Sequence, residues 1–216
     1  MTNSGSNIFG FFGAGLAKSE LLIRPLILDG NQVSFTYGDL DFQSARIANV
    51  LKNSGCKRGD RVAVVTEKCI EFLALYAACL RIGAIFLPLN PSYTTHEIEY
   101  FLVDSKPHTF VVDPIREIEL GEIARKVNVA QTWTLATKTG SLLIAAATQS
   151  SEFETRSVSG DEIAALLYTS GTTGRSKAAM LSHENLSSNA LALISHWNFS
   201  ASDILIHSLP VFHTHG

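Results

Sequence analysis

Thr169, Ser170, Gly171, Thr172, Thr173, Gly174 and Lys177 fall within nine consecutive positions, with Arg175 between them. Their types suit one task, the holding of a polyphosphate. Gly171 and Gly174 can take positive φ and let backbone approach a ligand closely. Successive free N–H groups in such a loop form a concavity that favours an anion. The four hydroxyls add donors and Lys177 adds a cation. The spacing is not that of a Walker A loop, which needs four residues between its glycines and a Lys-Ser/Thr directly after the second. Two residues separate Gly171 from Gly174, and the lysine comes three positions later. The bland alternative is a Ser/Thr/Gly-rich turn joining two strands.

Other groups offer weaker chemistry. His213 and His215 form a His-x-His pair, but a metal site ordinarily takes three or four ligands and no third partner is evident. A turn after a strand explains them equally. Glu67-Lys68 reads as a solvated helix start, and His183 and His196 as surface or capping groups. No Ser-His-Asp or Cys-His order stands out. Cys56, Cys69 and Cys79 show no Cys-x-x-Cys spacing, so structural zinc and a disulfide framework are not expected. Buried free thiols of a reducing compartment are the default.

The elements that must position the glycine loop follow from periodicity. An apolar run at residues 163–168 stops at the loop and apolar residues resume at 178–181, which predicts strand, loop, strand. Residues 183–197 predict a helix capped by Ser182, and 204–209 a last strand ended by Pro210. Upstream, Asp29-Gly30 marks a short hairpin. Thr36 with Asp39 predicts a capping box for a helix stopped by Gly55. Strands at 61–65, 84–87, 109–113 and 132–135 then alternate with helices at 69–82, 94–104 and 117–127. Residues 136–160 read as a connector with one helix at 141–147, residues 8–18 as a weak helix, and 1–7 as frayed. The rhythm predicts an α/β fold, a mainly parallel sheet flanked by helices.

At 216 residues the chain can bury a sizeable core. Apolar residues make up 46%, and 17 basic against 20 acidic side chains leave −3, so no basic surface points to nucleic acid or an anionic membrane. The apolar run at residues 8–16 is too short for a membrane span, which takes about 20 residues. No Lys or Arg precedes it and the first arginine is Arg24, so neither a secretory nor a transit signal is expected. The reading is cytoplasmic.

The order Tyr-Thr-Ser-Gly-Thr-Thr-Gly-x-x-Lys at 168–177 resembles the phosphate loop of the adenylate-forming superfamily, the acyl-CoA synthetases, peptide-synthetase adenylation domains and luciferases. The likeness extends over residues 20–216. Arg58-Gly59-Asp60-Arg61-Val62-Ala63-Val64 and Ala84 to Pro91 resemble core strands of acyl-CoA synthetases, while Lys68 to Gly83, Ser170 to Lys177, Leu181-Ser182-His183 and Ile206 to Gly216 look most like bacterial malonyl-CoA synthetases. The resemblance implies an acid–CoA ligase acting through an acyl-adenylate, with ATP, Mg²⁺ and CoA, on a small carboxylic acid, malonate favoured. Another short- or long-chain fatty acid and a non-catalytic fragment are the alternatives.

By that resemblance Thr169, Ser170, Gly171, Thr172, Thr173, Gly174 and Lys177 bind the ATP phosphates, Thr173 lies toward Mg²⁺, and Phe212 and His213 flank the acid. Residues 1–20 become a flexible segment and 21–216 part of the AMP-binding N-terminal domain. The adenine-binding segment and the C-terminal domain with its lysine are expected outside this sequence. Ala178 stands where the family usually has Gly, and its methyl would crowd the loop exit if positive φ were needed there.

Overall fold

The computed structural model describes residues 7–10, 19–30, 32–169 and 176–213. Its strands are β1 (Pro25–Asp29), β2 (Gln32–Thr36), β3 (Arg61–Val65), β4 (Ile85–Pro88), β5 (Thr109–Val112), β6 (Gln131–Thr134), β7 (Ile163–Thr169) and β8 (Lys177–Ser182). Its helices are α1 (Ser19–Leu22), α2 (Tyr37–Asn53), α3 (Ile70–Ile82), α4 (Thr95–Ser105), α5 (Glu117–Lys126), α6 (Ser141–Ala147) and α7 (His183–Trp197). β1 and β2 form the expected antiparallel hairpin. The main sheet has the order β6-β5-β3-β4-β7-β8 and is parallel except for β8, which runs antiparallel to β7.

Strand residues alternate between two cores, as the two-residue period demands. Val62, Val64, Phe86 and Val111 face α2, α3 and α6, which contribute Ile47, Leu51, Phe72, Leu75, Leu142 and Ala146. Ala63, Val65, Leu87, Phe110 and Val112 face α4 and α5, which contribute Ile98, Phe101, Leu102, Leu120 and Ala124. β4 and β5 lie on opposite sides of β3, so crossovers of one hand must place α3 and α4 on opposite faces. Each large aliphatic side chain so buried contributes about 1.5–3 kcal/mol. Phe72 and Tyr76 of α3 close over Phe86 at ring centroid distances of 5.2 and 5.0 Å.

Local signals set the helix ends. Thr36 with Asp39, Thr94 with Glu97 and Ser182 with Asn185 each form a reciprocal capping box. A cap of this kind stabilises a helix by about 1 kcal/mol. α3 ends at Gly83 in the left-handed region, φ 74°. The guanidinium of Arg81, 5% exposed, joins distant segments. It donates to the Asp41 carboxylate (2.8 Å), Ser44 Oγ (3.0 Å) and the Phe153 carbonyl (2.7 Å), and lies over the Phe9 ring.

Two expectations change. Residues 204–209 are not a strand: Ile204, Leu205 and Ile206 are exposed, the last by 88%, and no described strand pairs with them. A β-prone run becomes a strand only where a ladder partner exists. Asn7, expected at the end of a frayed stretch, is buried and donates to the Leu80 and Arg156 carbonyls at 2.7 and 2.9 Å. Residues 8–10 are helical, and the rest of the helix expected over 8–18 lies outside the described residues. No described helix is long and apolar enough to cross a membrane.

Candidate functional site

β7 is parallel to β4, so Thr169 reaches the carboxyl edge of the sheet, where open α/β sheets bind ligands. β8 returns from that edge in register, Tyr168 opposite Ala178 and Thr169 opposite Lys177. Thr169 and Lys177 are exposed and face each other across the mouth of the intervening segment, with Thr169 Oγ1 3.4 Å from the Lys177 carbonyl. Ser170, Gly171, Thr172, Thr173 and Gly174 lie outside the described residues. Ala178 has ordinary strand backbone, because the described non-glycine residues with positive φ are Lys106, Asn128, Lys138 and Asn198. Its methyl therefore needs no left-handed conformation.

Helix α4 grips both sides of this mouth. On the entry side the Tyr168 hydroxyl donates to the Asp104 carboxylate. On the exit side the Tyr100 hydroxyl donates to the Ser176 carbonyl at 3.1 Å. Tyr100 and Asp104 are one turn apart and so project from the same face of the helix. Phe101 of the same helix packs on Tyr168, with ring centroids 4.3 Å apart. Burial, then the Asp104 hydrogen bond, push the Tyr168 phenol well above its usual range, so it remains a donor at neutral pH. Sequence reasoning missed Tyr100 and Asp104. Their only trace is a polar pair interleaved with the apolar Ile98, Phe101 and Leu102.

The base of the hairpin is braced separately. Glu162 accepts from the Arg58 guanidinium and from the Ser159 N–H, and the Arg58 hydrogen bonds hold its carboxyl below the usual range. His183, expected near the surface, is 1% exposed. Its Nδ1 accepts the Ile8 N–H at 3.2 Å, which ties the N-terminal stretch to the start of α7. Burial lowers its pKa, while the Glu162 charge opposes that shift. His196 is exposed, as expected.

Phe212 and His213 belong to a different stretch. Lys68 Nζ donates to the carbonyls of His207 (2.6 Å) and Leu209 (3.1 Å), so Lys68 anchors residues 207–209 beside the start of α3. Beyond that anchor Val211 packs on the core, and the Phe212 and His213 rings lie 6.3 Å apart. The His213 N–H donates to the Pro210 carbonyl at 3.3 Å, closing a turn.

A family model described as AMP-binding enzyme matches residues 20–216. The chain belongs to the AMP-binding enzyme family. Among solved structures it is similar to apo MatB of Rhodopseudomonas palustris, with a TM-score of 0.89 and 43% identity, covering 98% of this chain and 41% of that one. The ATP-bound form of that protein gives a TM-score of 0.86 and 44% identity, covering 98% and 42%. The medium-chain fatty-acid–CoA ligase of Escherichia coli is 29% identical over 201 residues, which is 88% of this chain and 36% of the relative. A probable CoA ligase of Humulus lupulus is 32% identical over 206 residues, 93% and 39%. The chain thus spans about two fifths of the length of the relatives it matches.

For this AMP-binding enzyme chain, the register brings Thr169 and Lys177 together. Tyr100, Asp104 and Phe101 support the hairpin that carries them.

Proposed function

We propose that residues 1–216 carry the ATP phosphate-binding part of an acid–CoA ligase that activates malonate as an acyl-adenylate. The observation that carries this reading is the Thr169–Lys177 mouth at the carboxyl edge of the sheet, held from both sides by α4. The likeness to ATP-bound MatB supports the nucleotide. The malonate assignment rests on the sequence resemblance to malonyl-CoA synthetases. The names of the curated relatives point instead to medium-chain fatty acid, coumarate and ferulate.

A carboxylate at neutral pH is a poor electrophile, and joining it to AMP supplies a good leaving group. That step needs in-line geometry and neutralised phosphate charge rather than a protein nucleophile. The N–H groups and hydroxyls of residues 169–174 would take the β- and γ-phosphates, with Lys177 supplying positive charge from the opposite strand. Mg²⁺, assigned to the side of Thr173, would neutralise part of the triphosphate charge. Phe212 and His213 would flank the acid. CoA enters as the second nucleophile, in a step that residues 1–216 are not expected to complete alone.

Pyrophosphate exchange by the full-length natural protein across malonate, medium-chain fatty acids, coumarate and ferulate tests the reading. Exchange strongest with malonate supports it. Equal or better exchange with another acid overturns the malonate assignment, and no ATP-dependent exchange with any acid overturns the ligase assignment. CoA-ester formation by purified residues 1–216 would refute the division of labour.

A further inference from the structure

Away from the nucleotide edge, the fold gathers three unlike metal-binding side chains. Cys56 leaves the turn after α2, Asp60 immediately precedes β3, and His108 immediately precedes β5. Their donor atoms, sulfur, carboxylate oxygen and imidazole nitrogen, all lie within 4.8 Å of one another. Cys56 is 5% exposed, and the other two are half-buried. The backbone under them is tied down. The Asp60 N–H donates to the Lys57 carbonyl at 3.0 Å, the Lys57 N–H to Asp60 Oδ2 at 2.8 Å, and the His108 N–H to the Arg61 carbonyl at 3.0 Å. The buried Thr109 hydroxyl lies 3.0 Å from His108 Nδ1, the kind of outer contact that orients a ligating histidine. That contact leaves Nε2 as the ligating nitrogen, on the side of Gly55, which precedes Cys56: a Cβ added at Gly55 would come 3.5 Å from it.

We propose that Cys56, Asp60 and His108 form a binding site for one borderline-soft divalent cation, Zn²⁺ fitting best. One thiolate, one imidazole and one carboxylate supply three corners of a tetrahedron, and a water can take the fourth. The sulfur and nitrogen donors disfavour Mg²⁺, which takes oxygen ligands, so this is not the ion that accompanies ATP. Position argues the same way. Asp60 and His108 stand at the amino ends of β3 and β5, whereas Thr169 ends β7 at the opposite edge of the sheet. The ion would clip the turn after α2 to the neighbouring strand, a structural role. Sulfur ligates as the thiolate, so the cation displaces a proton from Cys56 on binding.

The test is Co²⁺ titration of the full chain, reduced and stripped with a chelator. A thiolate-to-cobalt charge-transfer band should saturate at a single equivalent and vanish when Zn²⁺ is added. Cys56→Ser should abolish the band, and His108→Gln should weaken Co²⁺ binding about tenfold or more. Cys69→Ser should leave it unchanged. Cys56 is in the core, so His108→Gln, at a half-buried position, is the variant that separates ligation from folding, with circular dichroism as its check. Zn²⁺ should also raise the unfolding temperature of the parent and not that of His108→Gln. Absence of the band, a band that survives in Cys56→Ser, or an unchanged Co²⁺ affinity in His108→Gln overturns the site.

Discussion

The Tyr168 hydroxyl donates to the carboxylate of Asp104, 64 positions earlier in the chain. One turn back on the same helix, Tyr100 holds the carbonyl of Ser176. The two strands that carry Thr169 and Lys177 are therefore set against α4, not only against each other. Asp104→Ala and Tyr100→Phe should each weaken ATP binding roughly threefold to tenfold, the range of a lost hydrogen bond, with little change in unfolding temperature. Calorimetric titration with ATP reads this, and unchanged affinity in both variants would show that the grip does not set the loop.

Lys177 is exposed and carries the charge at the exit of the mouth. Lys177→Ala should reduce ATP affinity by about tenfold and flatten its dependence on salt, because a screened charge pair has been removed. Lys177→Gln should behave alike. A loss in which the salt dependence stays intact would mean that Lys177 acts through packing.

His183 gives the fold a pH dependence of known sign. Its pKa is lowered in the folded chain by burial. The unfolded chain then binds the proton first as pH falls below the ordinary histidine value of about 6.5, so this contribution to stability is complete above that value and shrinks below it. The urea midpoint should fall between about pH 7 and pH 5.5, and fall less in His183→Asn, whose amide oxygen can still accept the Ile8 N–H. Equal slopes in the two proteins would assign the acid sensitivity elsewhere.

Two glycines separate backbone strain from steric clash. At Gly83, φ 74°, an added Cβ meets Arg58 and Val158 side-chain carbons at 3.3 Å, which can shift. At Gly140, φ 120°, it meets the Thr134 carbonyl oxygen at 2.4 Å, which is backbone. Gly83→Ala should cost about 1–2 kcal/mol, the usual left-handed penalty. Gly140→Ala should cost more, about 3 kcal/mol or above, because α6 must move. Denaturant titration of both variants ranks them, and equal losses would remove the clash from the account.

The sequence made most of the frame legible, because its signals are local. Thr36 and Thr94 announced their helices by the residue three positions on, Ser182 capped α7, Gly83 stopped α3, and the six main strands lay close to where their apolar runs placed them. Legibility failed where the deciding partner is remote. Residues 204–209 have the composition of a strand, yet strand formation depends on a neighbour the run itself does not contain. His183 reads as polar, yet it is buried and accepts the Ile8 N–H from 175 positions away. The α4 contacts and the Cys56–Asp60–His108 cluster are invisible to spacing for the same reason, because topology alone joins their segments.

The hydrogen bond between Ile8 and His183 closes a loop of 175 positions. During translation at about 5–20 residues per second, the amino-terminal stretch leaves the ribosome roughly ten to thirty-five seconds before its partner exists. Until then the Ile8 N–H lacks its acceptor. This early stretch therefore completes its contacts only after the start of α7 is made.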